Sequence, residues 1–167
     1  MIEEKKPLTR SELEIIIKRR AAVLLIVLAA LVAVNSFFKD GNSSRIMKDI
    51  IAANNQWAWY QAKNVRSVIY EVTAAQSNKF EEARHYATEA KRMRSDMEQI
   101  KATAQALEAE QAALSLKSPY YTYSAMLMQL GLVLSTAAIL AVSMPLFYAA
   151  IVVGSSGVVL FAIALGV

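Results

Sequence analysis

From Ser118 to Val167 the chain carries no charged side chain. Within that stretch Ala125–Val142 is one mostly apolar run, Ser143-Met144-Pro145 interrupts it, and Leu146–Val167 is a second. Laid end to end as one helix, the two runs would measure about twice the hydrocarbon core of a bilayer. They are therefore expected to fold back on each other as a transmembrane hairpin, and every other segment has to be placed relative to it. Composition points the same way: 56% of residues are apolar, with only five Gly and three Pro, which is the profile of an all-α, membrane-embedded chain. The absence of cysteine excludes disulfides, thiolate metal sites, iron–sulfur clusters and a cysteine nucleophile.

At the other end, Thr9-Arg10-Ser11-Glu12 reads as a capping box, with Leu8 and Leu13 at the positions of a hydrophobic staple. A helix is expected to start near Arg10, within a cytoplasmic segment 1–20, and to run into the charge-free stretch 21–38. That stretch is long enough to span. A cleaved signal peptide is the alternative, but no small-x-small cleavage site follows the run. Lys18-Arg19-Arg20 flanks the helix directly, and the positive-inside rule then keeps its amino-terminal end in the cytoplasm.

Between the spans, residues 39–122 are expected to form an extramembrane, periplasmic helical hairpin. Asp40-Gly41-Asn42 reads as a turn, with Ser43 or Ser44 as the next cap. Two long helices follow, about 44–76 and 79–117, separated at Gln76-Ser77-Asn78; Asn78 with Glu81 makes a second capping-box-like start. Ser118-Pro119 is expected to end the second helix and open the next, as cap and first residue. Phe80, Ala83, Ala87, Ala90, Met97, Ala104, Leu107 and Leu114 follow a 3–4 spacing, and Ile46, Ile50, Trp57, Val65, Val68 and Val72 lie on a broader face. Such spacing predicts a coiled-coil-like antiparallel pair. The remaining segments are a transmembrane helix 123–142, a tight turn 143–145 and a transmembrane helix 146–167. Tyr120, Tyr121 and Tyr123 precede the second span as an aromatic belt at headgroup depth.

One short stretch stands out in the hairpin: Trp57-Ala58-Trp59-Tyr60-Gln61-Ala62-Lys63, which holds both tryptophans of the chain. Trp57 and Tyr60 can pack into the hairpin while Trp59 lies over Lys63 as a cation–π pair, worth about 0.5–1 kcal/mol. The same cluster suits a protein–protein contact, because large aromatics concentrate where partners bury surface. A Trp-x-x-Tyr-Gln-Ala-Lys segment after an amino-terminal membrane helix, then a charged helical stretch and two closing membrane helices, resembles a family of small bacterial membrane proteins known as a domain of unknown function. The resemblance implies a bacterial inner-membrane protein with three spans; it supplies no activity, cofactor or catalytic residue.

Other polar groups read as surface. His85 is flanked by Glu81, Glu82 and Glu89, but Arg84 beside it argues against a metal. The glutamates of 81–110 alternate with Lys91, Arg92, Arg94 and Lys101 at helical spacing, which is the pattern of a solvated, salt-bridged face. There is no phosphate-binding glycine loop and no nucleophile–base arrangement, so no enzyme, small-molecule substrate or cofactor is expected. The modest +4 net charge, unevenly placed, suits a membrane surface better than nucleic acid. Gln129, Ser135, Thr136, Ser155 and Ser156 are the polar residues noted in the closing runs, and none is ionisable, which makes a pump or secondary transporter a poor fit.

Small residues recur instead: Gly131 with Ser135, Ala150 with Gly154, Ala162 with Gly166, Ala29 with Ala33, and Gly157 nearby. These permit close helix approach and exceed what three spans need among themselves, so partners within the bilayer are expected. Three functions follow: a structural protein that self-associates through its spans and its hairpin, an accessory subunit of a larger membrane complex, or an oligomeric channel lined by Ser, Thr and Gln.

Overall fold

The computed structural model describes residues 10–166, and among them every regular element is helical. Helix α1 runs Arg10–Gln76 (67 residues), α2 Phe80–Ala141 (62 residues) and α3 Met144–Gly166 (23 residues). The expected Thr9 cap and the Leu8–Leu13 staple lie outside the described residues. All three helices contain a stretch long and apolar enough to cross a membrane. The first two are also about three times longer than a bilayer's hydrocarbon core needs, so only part of each suits lipid.

Two expected breaks are absent. Asp40-Gly41-Asn42 is helical, not a turn, and no glycine among the described residues has positive φ. A lone Gly costs a helix about 0.5–1 kcal/mol relative to Ala, too little to end one whose neighbours pack. Pro119 likewise sits inside α2. It removes the amide that would reach the Ser115 carbonyl, a loss of order 3 kcal/mol in an unsupported helix. Here α1 braces both sides of it: Asn42 Nδ2 donates to Ser118 Oγ at 3.1 Å, and Asn35 Nδ2 donates to the Tyr121 carbonyl at 3.0 Å.

The breaks that do occur have local causes. Between α1 and α2 the Lys79 amide donates to Ser77 Oγ (3.4 Å), so Ser77 holds this turn where Asn78 was expected to. Between α2 and α3 the turn is Val142-Ser143, one residue earlier than expected. The Ser143 amide donates back to the Ala138 carbonyl at 3.1 Å, closing a Schellman motif around Val142, whose φ of 48° is left-handed. Ser143 then caps α3, its carbonyl accepting from the Phe147 amide at 3.2 Å.

The chain divides into two compact units. Unit one comprises Met1–Ser43 with Lys117–Val167, a bundle of three helices. The buried positions of α1 recur every seventh residue at Ala21, Leu28, Asn35 and Asn42, opposite Ala138, Gly131, Tyr121 and Ser118 of α2 in antiparallel order. α3 fills the third side through Phe147, Gly154, Gly157 and Phe161. Unit two, Ser44–Leu116, is an antiparallel pair of helices. Ala53, Ser67, Ala90, Met97 and Ala104 are buried there, with half-buried Tyr60, Tyr70 and Tyr86 between them.

Candidate interaction surfaces

In the bundle, contact distance explains the small residues. A Cβ on Gly131 would stand 2.9 Å from the Gly154 Cα, and one on Gly154 would stand 2.9 Å from Leu28 Cδ1. A Cβ on Gly157 would meet the Ser124 carbonyl at 2.9 Å. Ser135, Ala150 and Ala138 are fully buried beside them. Of the residues expected to meet partners in the bilayer, Gly131, Ser135, Gly154 and Gly157 are buried within the chain's own three-helix bundle. Of the small-residue pairs read from the sequence, Ala29 with Ala33 and Ala162 with Gly166 face outward.

The tyrosine belt divides in the same way. Tyr121 is buried, tilted against Phe161 with ring centroids 6.3 Å apart, and its hydroxyl donates to the Ala164 carbonyl at 3.5 Å. Tyr120 packs on that cluster, and only Tyr123 points outward. Among the described residues four buried polar oxygens have no hydrogen-bond partner: Asn35 Oδ1, Ser124 Oγ and Ser135 Oγ in the bundle, and Asp49 Oδ2 in the hairpin. Sequence reading passed over Asn35 and Ser124 and placed Asn42 in a turn. The signal that finds the two asparagines is the repeat Ala21, Leu28, Asn35, Asn42, which puts polar residues in an otherwise apolar stripe. Lys18 pairs with Glu14 on its own helix, while Arg19 and Arg20 stay exposed.

The aromatic stretch of the hairpin splits between two faces. Trp57 and Tyr60 are half-buried and meet edge to face, centroids 5.6 Å apart at 75°, and Trp57 Nε1 donates to Glu108 Oε1 across the hairpin at 2.7 Å. Lys63 does not lie under Trp59; its ammonium crosses to Asp96 Oδ2 at 2.5 Å, with Met93 Sδ at 4.0 Å. A carboxylate outcompetes a ring face for an ammonium turned inward. The hydrogen bond from Lys63 holds the Asp96 carboxyl below its ordinary 3.8; partial burial opposes this, and the charges of Lys63 and Arg92 add to the lowering. Nearer the tip, Arg94 pairs with Glu71 and Tyr70 stacks on Tyr86 at 5.9 Å. Trp59 and Gln61 are left facing out, Trp59 at 64% exposure.

Around Trp59 the outer face of α1 forms a second stripe. Ile51, Asn55, Ala58, Ala62, Val65, Ile69 and Val72 follow a 4–3 spacing and all are exposed. Of the expected apolar face, Val65, Val68 and Val72 thus point away from α2. Between Ile51 and Ile69 the charges on α1 are Lys63, turned inward, and Arg66. The outer face of α2 is dense in charge by contrast, with Glu81, Glu82, Arg84, Lys91, Arg92 and Glu98 exposed. The exposed face of α2 is thus charged, whereas that of α1 mixes apolar side chains with Asn54, Asn55, Gln61, Asn64 and Arg66.

His85 is exposed beside Tyr86, and among the described residues no group of three or more acidic or histidine side chains converges as metal ligands would. The model of one protein family, described as a domain of unknown function (DUF4337), matches residues 17–167. No curated protein and no solved structure matches the chain.

Proposed function

We propose a reading that starts from membership: this chain belongs to the DUF4337 family, whose description names no activity, so function has to be sought in its surfaces. The protein is a non-enzymatic integral membrane protein of the bacterial inner membrane that joins copies of itself through its hairpin. Residues 21–38, 123–142 and 146–167 lie in the bilayer, the amino terminus is cytoplasmic, and the hairpin and carboxyl terminus are periplasmic. The apolar length of the three helices and the basic cluster Lys18-Arg19-Arg20 support this arrangement.

The observation that carries self-association is the outer stripe of α1. Met47, Ile51, Trp59, Val65, Val68, Ile69 and Val72 are each about half exposed or more. Asn54, Asn55 and Gln61 interrupt them between Ile51 and Val65, but exposed apolar side chains gathered on one helix face are the kind of surface that partners cover. Copies held in one membrane with one orientation present their α1 helices in parallel. In register, Ile51, Ala58, Val65 and Val72 meet their counterparts, and Asn55 meets Asn55. A single Asn at such a position sets register and strand number at some cost in stability. Because only Arg66 flanks the seam, identical copies meet without a row of like charges.

Cysteine cross-linking tests this in a chain that has no cysteine of its own. Oxidised membranes carrying Val65→Cys should give a disulfide-linked dimer, and Glu98→Cys, on the charged leg, should not. Equal cross-linking at both positions contradicts the seam. A chain that stays monomeric and shifts on native gels only with other membrane proteins present supports the accessory-subunit reading instead.

A further inference from the structure

At one end of the helical bundle, α1 and the first turns of α3 leave a groove of about 600 Å³ lined by Arg19, Arg20, Val23, Phe147, Tyr148 and Ile151. Its lip and its walls differ in chemistry. Arg19 and Arg20 are exposed, and neither forms an ion pair among the described residues, whereas neighbouring Lys18 is already bound to Glu14. Below them Val23, Tyr148 and Ile151 offer partly open apolar surface, at 58%, 59% and 36% exposure, over the buried ring of Phe147. No acidic side chain lines the groove. The amino-terminal turn of α3, Met144 onward, adds the partial positive charge of its free amides on the same side.

We propose that this groove binds an anionic phospholipid, its phosphate held by the guanidiniums of Arg19 and Arg20 and one acyl chain lying along Val23, Phe147 and Ile151. The assignment rests on the membrane reading above and goes beyond it, since spanning a bilayer requires no retained lipid. Guanidinium forks match phosphate oxygens in pairs and desolvate more readily than an ammonium. The arginines stand where the charge-free run begins, which is headgroup depth for a helix spanning over 21–38. A basic pocket between membrane helices on the cytoplasmic side is the setting in which anionic headgroups are held. Two unpaired cations favour a headgroup with net negative charge over a zwitterion, whose own ammonium would sit against them.

The test uses full-length protein in mild detergent, with retained lipid counted by native mass spectrometry after addition of phosphatidylglycerol or phosphatidylcholine. Wild type should retain phosphatidylglycerol at least about tenfold better, and Arg19→Gln with Arg20→Gln should lose that preference. Ile151→Trp fills the apolar part and leaves the charges, so it should lower retention of either lipid. Millimolar inorganic phosphate should not displace the lipid; displacement would mean that the arginines hold a free anion and would overturn the proposal. So would equal retention of the two lipids by wild type, or an unchanged preference in the double variant. Carbonate extraction of the source membranes keeps the two readings apart. A chain released by carbonate sinks the membrane reading itself, and a chain that pellets but shows no preference sinks only the lipid site.

Discussion

Val142 is a β-branched residue held at φ 48°, in the position where helix ends usually place glycine. The left-handed conformation costs an L-residue about 1–2 kcal/mol, and the Schellman bond from Ser143 to Ala138 keeps it there. Val142→Gly should therefore raise stability by about 1 kcal/mol, read as a higher thermal midpoint in detergent. Gly131 gives the opposite sign. Its Cβ would press on backbone at Gly154, which cannot swing aside, so Gly131→Ala should cost about 1–3 kcal/mol. Asp96 supplies a pH dependence. Its folded-state pKa lies below the ordinary 3.8, so the Lys63 pair contributes fully above the unfolded value and is lost as pH falls through the folded one. Hairpin stability should drop, as pH falls through 3.8 and below, by more in wild type than in Asp96→Asn.

At the scale of the elements, the principal surprise is continuity. Helix α1 passes through Asp40-Gly41-Asn42 and α2 through Pro119, where local chemistry argues for ends. A Cβ added at Gly41 would meet nothing within 4 Å, so Gly41→Ala should add about 0.5–1 kcal/mol, as expected of a helix interior; a turn there would give no such gain. Helix ends were legible in the sequence where their cause is local, as at Ser77 and Ser143. The bracing of Pro119 by Asn35 and Asn42 was not, because it depends on residues 76 or more positions away in the chain. The small residues were visible as a class, but whether they face a partner or their own chain is a matter of three-dimensional neighbours. Trp57 and Trp59 show the same limit: two positions apart, they fall on different faces of one helix, and only the position of α2 decides which of them turns inward.

For the whole molecule, the charge distribution is the clearest guide. The bundle unit carries a charge-free interior and an arginine pair beside it, while the hairpin unit carries a charged leg and a nearly uncharged outer face on the other. On the function proposed above, each contrast has its own neighbour: lipid hydrocarbon for the first, a second copy for the apolar face, water for the charged leg. All of this depends on the helices standing in a bilayer with the hairpin beyond the cytoplasm. Single cysteines at Ser11 and Ser95, both exposed in a cysteine-free chain, test that placement directly with a membrane-impermeant maleimide. In intact spheroplasts Ser95→Cys should label fully and Ser11→Cys only after lysis; the reverse pattern, or labelling of both before lysis, would contradict the account.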